Sequence, residues 1–140
     1  LKAAEKLVKE NFSVMVYTTQ NIQLAKDLEN IGCDAIMPLG SQIGTGQGIK
    51  TPSNIRKIIE KANVPVIVDA GIRTPSDASL AMEMGCEAVL LNTSIAESKN
   101  PIKMAEAMKY AVKAGRLSYV AKAMKIKDEA SPSSHKNSPL

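Results

Sequence analysis

Val64-Pro65-Val66-Ile67-Val68-Asp69 is a short apolar run whose proline sits near its start, where a strand tolerates one. Ala70-Gly71 follows. Thr74-Pro75 then opens a helix, with Thr74 as N-cap and the proline at a position where a missing N–H costs nothing. The helical spacing ends at Gly85, and residues 86–91 form a second apolar run. Strand, helix, strand at this length is a βαβ unit, and its two strands lie parallel. The runs are continuous rather than alternating, which suits strands covered on both faces.

The same reading holds upstream. Ser13-Val14-Met15-Val16-Tyr17 is a strand, residues 22–31 return to helical spacing and stop at Gly32, and residues 33–39 are a second strand. Pro52 opens a helix whose face is Ile55, Ile58 and Ile59, and Leu1, Ala4, Leu7 and Val8 mark another helix at the beginning. A long helix is expected over 101–114, followed by a shorter helical stretch over 116–125.

The two units also align with each other. Ser13-Val14-Met15-Val16-Tyr17 matches Pro65-Val66-Ile67-Val68-Asp69, and Gly32-Cys33-Asp34-Ala35-Ile36 matches Gly85-Cys86-Glu87-Ala88-Val89, with one residue inserted between. Either a (βα)₂ module is duplicated, or both units obey the patterning that any βα unit requires. A duplicated module is what half of an eight-fold barrel contains. The chain has 140 residues, against about 250 for a complete parallel barrel. The expected architecture is therefore α/β: half of a (βα)₈ barrel over residues 1–126, four parallel strands each followed by a helix, with a flexible tail over 127–140.

Composition removes several function classes. The net charge of +4 is interspersed, and there is no Trp, one Phe and three Tyr, so the chain offers neither the basic patch nor the stacking aromatics of a nucleic-acid binder. No apolar run nears the roughly 18–20 residues that span a bilayer. Cys33 and Cys86 lie outside any CxxC pair and the only histidine is His135, so no metal site is expected; buried free thiols of a reducing compartment are.

In a parallel barrel the active site lies at the C-terminal ends of the strands. Those ends are Tyr17-Thr18-Thr19, Pro38-Leu39-Gly40, Asp69-Ala70-Gly71 and Asn92-Thr93-Ser94. Small residues there admit a ligand to the backbone N–H groups. Ala70-Gly71, Asn92-Thr93 and a helical turn at Ser94-Ile95-Ala96 fit a phosphate; equally, Gly71 caps a turn and Asn92-Thr93 a helix. Gly44-Thr45-Gly46-Gln47-Gly48 lacks both the Walker and the GxGxxG pattern and reads as a lid or cradle, or as a long mobile surface loop. Asp69 is the one acid at a strand end. It is a general acid or base if desolvated, or a turn-forming Asp. No lysine sits at a strand end.

Val14-Met15-Val16-Tyr17-Thr18, Met37-Pro38-Leu39-Gly40, Ile43-Gly44-Thr45-Gly46-Gln47-Gly48-Ile49, Pro65-Val66-Ile67-Val68-Asp69-Ala70-Gly71-Ile72, Thr74-Pro75-Ser76-Asp77-Ala78 and Val89-Leu90-Leu91-Asn92-Thr93-Ser94-Ile95-Ala96 together resemble the C-terminal half of bacterial thiazole synthase, an enzyme of thiamin biosynthesis. The resemblance implies a (βα)₈ barrel. It also implies the condensation of 1-deoxy-D-xylulose 5-phosphate, dehydroglycine (iminoacetate) and sulfur from a thiocarboxylated carrier protein into a thiazole phosphate, with no metal or organic cofactor.

Carried over by motif, Gly44, Ala70, Gly71, Asn92 and Thr93 contact the sugar phosphate, and Asp69 serves acid–base chemistry. The family's imine-forming lysine and a nearby Glu fall upstream of Leu1, outside this chain. Two positions depart from the pattern: Arg73, where the family often has Gly and where the side chain either adds a phosphate contact or points to solvent, and Lys122-Ala123, where it often has Gly-Arg. The resemblance further implies a homo-oligomer in the cytoplasm, or in the plastid stroma if plastid-encoded. The alternative is a half-barrel that binds phosphorylated ligands without catalysis, or one chain of a split barrel.

Overall fold

Helix α1 (Lys2–Lys9) leads into strand β1 (Met15–Thr18), helix α2 (Ile22–Ile31) and strand β2 (Ala35–Pro38) in the computed structural model, which describes residues 1–130. Helix α3 (Pro52–Lys61), strand β3 (Ile67–Asp69), helix α4 (Pro75–Glu83), strand β4 (Ala88–Leu90), the one-turn helix α5 (Thr93–Ala96) and helix α6 (Pro101–Ala121) complete the order. The part of the expected tail from Ser131 onward lies outside the described residues.

β1 pairs in parallel with β2, and β3 with β4. Parallel bridges at Ile36–Val66 and Leu39–Asp69 join β2 to β3, giving the spatial order β1-β2-β3-β4. Right-handed crossovers then put the helices that connect these strands on one side of them.

The helix-facing side of the strands carries two clusters. One gathers Ala4, Val14, Leu28, Ile36, Ile58 and Val66; the other gathers Ile55, Val68, Ala78, Met82, Cys86 and Met108. Each fully buried aliphatic side chain among them contributes about 1.5–3 kcal/mol. Alternation along the strands turns Met15, Tyr17, Met37, Ile67, Asp69 and Leu90 to the opposite side, the inner face of the half-barrel. Coverage on both faces is therefore not what β1 shows: Met15 and Tyr17 are each 56% exposed. β1 has a neighbour on one edge only, and no described element covers its inner face.

The sequence repeat is carried by matching bonds. The Asp34 carboxylate accepts the Val14 N–H at 2.8 Å, and the Glu87 carboxylate accepts the Val66 N–H at 2.8 Å. In return Asp34 N–H donates to Val14 O, and Glu87 N–H to Val66 O. Gly32 and Gly85 precede these acids with φ of +103° and +100°. Each unit thus ties the start of its first strand to the start of its second with the same clasp.

Helix α6 differs from expectation: it is one continuous helix through Gly115, ending at Ala121. A Cβ on Gly115 would lie 2.5 Å from Ser79 O and 2.7 Å from Met82 Cβ. Glycine is there to let α6 lie against α4. That contact outweighs its cost of about 1 kcal/mol in a helix interior.

Candidate functional site

β3 ends at Asp69 and the chain turns through two positive-φ residues, Ala70 (+58°) and Gly71 (+74°). Gly71 has no alternative. A Cβ there would fall on Ser41 Oγ and within 2.6 Å of Ser41 N. The turn is braced from its far side by Asp77, which reaches back from the first turn of α4 to accept the N–H groups of Arg73 (3.0 Å) and Thr74 (2.8 Å). Thr74 is the helix N-cap, as its sequence position indicates.

The glycine segment hangs on this same turn. Gly40 N–H donates to Asp69 O and Gly48 N–H to Gly71 O, both at 2.8 Å. Gln20 clasps the preceding bend by donating to Leu39 O and Gly40 O. Both ends of the loop are therefore pinned, while Gly44 (φ +75°) has nothing within 4 Å of its Cβ position.

Asn92 occupies the N-cap position of α5, yet its side chain makes no capping bond. Asn21 and Asn100 do cap, accepting from Leu24 N and Lys103 N. Behind Asn92, Ser94 Oγ is buried with no partner among the described residues. The first N–H groups of a helix have no intrahelical acceptor.

These segments converge on a cavity of about 630 Å³ at the C-terminal ends of the strands. Gly44, Asp69, Ala70, Gly71, Asn92 and Thr93 all line it. Three further lining residues were not picked out as contacts from sequence. Tyr17 comes in because it is the repeat equivalent of Asp69 and shares its inward register, and Glu97 follows α5. Arg73 stood out in the sequence as a departure from the family pattern, with a phosphate contact or solvent as its two directions. It is the only cation among the described lining residues, and no lysine is among them.

Asp69 is 5% exposed. Burial pushes its carboxyl above the ordinary aspartate range, partly offset by the Ala70 N–H. A carboxyl shifted in this direction is a stronger proton acceptor than an ordinary aspartate. The cysteines stand apart from the cavity. Both are free and buried, and burial raises the Cys86 thiol to about 11, leaving it unreactive packing beside Met82.

A family model described as thiazole biosynthesis protein ThiG matches residues 1–135. The chain belongs to this family. It is 58% identical over 134 residues to the thiazole synthase of Stutzerimonas stutzeri, covering 96% of this chain and 51% of that protein. It is 60% identical to the thiazole synthase of Maricaulis maris, covering 96% of this chain and 50% of that protein. This ThiG-family chain thus spans about half the length of the curated relatives it matches.

Among solved structures it resembles the Amycolatopsis orientalis BexX/CysO complex, with a TM-score of 0.87 and 34% identity over 91% of this chain and 52% of that one. The thiamine phosphate pyrophosphorylase of Pyrococcus furiosus shares the fold alone, at TM-score 0.66 and 20% identity over 80% of this chain and 55% of that one. The architecture is the C-terminal half of a (βα)₈ barrel. No helix among the described residues is long and apolar enough to cross a membrane.

Proposed function

We propose that the protein to which this chain belongs condenses 1-deoxy-D-xylulose 5-phosphate, dehydroglycine and sulfur from a thiocarboxylated carrier protein into a thiazole phosphate. In this reading the present residues hold the sugar phosphate and move protons. One observation carries it: in a ThiG-family chain, six residues from three separate segments line one cavity at the strand ends. The uncapped Asn92 side chain, the buried Ser94 hydroxyl and the free N–H groups opening α5 form the phosphate end.

The sugar ketone loses its oxygen as water when a lysine amine adds to it, and the imine then acidifies the neighbouring C–H. Asp69, kept basic by its dry surroundings, takes protons from carbon and returns them to departing oxygen. The lysine itself belongs to a segment outside this chain. A relative solved in complex with CysO supports a docked sulfur donor.

A half-barrel that binds phosphorylated ligands without catalysis, or that completes its barrel with a separate chain, is favoured by one fact: no lysine among the described residues lines the cavity. Borohydride reduction in the presence of 1-deoxy-D-xylulose 5-phosphate, followed by peptide mass mapping of the natural-length protein, separates the two. The enzyme reading expects a reduced adduct on a lysine outside residues 1–140. No adduct on any lysine leaves binding alone, and an adduct within 1–140 would overturn the assignment of the lysine.

A further inference from the structure

Arg73 has no role in the site as read so far. It lies on the short connection between Gly71 and the N-cap Thr74, with its backbone N–H fixed by Asp77. Its side chain runs along the glycine loop: a Cβ on Gly46 would lie 3.4 Å from both Cγ and Cδ of Arg73. The arginine stem thus lies in a lane along the loop, at ordinary contact distance from Gly46, whose φ is +58°.

At the end of this lane the guanidinium has no acid. The ion pairs among the described residues are Lys6–Glu10, Lys9–Glu5 and Lys26–Glu29, and Asp77 spends its carboxylate on N–H groups of its own turn. Arg73, the one cation among the described lining residues, therefore has no ion-pair partner there. It shares the cavity with the Asp69 and Glu97 carboxyls, the buried Ser94 hydroxyl and the uncapped Asn92.

We propose that Arg73 is an affinity-determining residue that neutralises the phosphate monoester of the ligand, its stem laid along the glycine loop at Gly46. The inference rests on the sugar-phosphate reading above and adds to it a positive side-chain charge, in a site whose other charged described lining residues are the acids Asp69 and Glu97. A planar guanidinium suits a phosphate because its N–H groups match two oxygens at once. A stem already laid along the loop loses less freedom on binding than one free in solvent.

The test is calorimetric titration of the natural-length protein with 1-deoxy-D-xylulose 5-phosphate, and separately with inorganic phosphate, at low and high ionic strength. Arg73→Gln is expected to weaken both ligands by about five- to tenfold at low salt, the range of a charge-assisted bond at a partly exposed site. The gap should narrow at high salt. Arg73→Lys should recover part of the loss.

Equal affinity of wild type and Arg73→Gln for the sugar phosphate overturns the proposal while leaving the sugar-phosphate site standing. So does a loss confined to the sugar phosphate with inorganic phosphate unaffected, which would make Arg73 a contact to the sugar. Failure of the wild type to bind the sugar phosphate at all overturns both.

Discussion

A single carboxyl sets a tension between stability and chemistry. Burial outweighs the Ala70 N–H at Asp69, so its folded form holds a proton more tightly than its unfolded form. The stability associated with the neutral group is fully present below the unfolded value, about 4, and is lost as pH rises through the folded one. Asp69→Asn is therefore expected to raise the thermal midpoint at pH 7 and to change it little at pH 3.5, while turnover falls by about 10²–10⁴ if the carboxyl moves protons. Thermal melts at the two pH values check the first part. A lower midpoint at pH 7 would mean that the carboxylate has a stabilising partner. Asp69 could be found from sequence because it is the only acid at a strand end. The necessity of glycine at 71 could not, since the atom that forbids a Cβ belongs to Ser41, far away in the chain and near only after folding. Arg73 was legible as a departure with two directions, and the choice between them depends on the glycine loop along which its stem packs.

At the scale of elements, local propensity and packing disagree at one place, and packing wins. Gly115 reads as a break between two helices, and the expectation divided α6 there. Close approach to Ser79 and Met82 instead carries the helix through, and the Tyr119 ring settles over Gly85 one turn later. Gly115→Ala improves intrinsic helix propensity by about 1 kcal/mol, yet it should destabilise the fold by about 1–3 kcal/mol through overpacking. Urea denaturation decides between the two effects by the sign of the midpoint shift. The βα alternation itself was readable because hydrophobic period, proline at helix starts and glycine at helix ends agreed with one another at almost every boundary. The repeat was readable as similarity of strings. What makes it structural, the Asp34–Val14 and Glu87–Val66 clasps, pairs side chain with backbone across a full βα unit, and no pattern of residue types announces such a bond. Strand lengths came out shorter than expected for a related reason: Cys33 and Cys86 begin apolar runs but sit before the ladders, buried under helices.

For the molecule as a whole, the helix-facing side of the strands is packed into two clusters and the barrel side is open. Four strands leave β1 and β4 each with one unpaired edge among the described residues. Between those edges lies a face carrying Met15, Tyr17 and Leu90, the last 44% exposed. Unpaired edges recruit strands, and contiguous apolar surface recruits more of itself. The ThiG-family relatives are about twice as long as this chain, and the sheet order leaves an opening of the kind their remaining length would fill. Residues 1–140 expressed alone should therefore associate. Their elution on size exclusion should move earlier as concentration rises, and Met15→Lys with Tyr17→Lys should return them toward monomer by placing charge on the inner face without touching the helix-side clusters. A sharp peak at 15.0 kDa, independent of concentration in the unmodified chain, would mean that the inner face is closed by some rearrangement of the strands. Such a rearrangement would also dismantle the cavity, because Tyr17, Asp69 and Leu90 reach it only from that inward register. The association state and the phosphate site thus depend on the same alternation of side chains along four short strands.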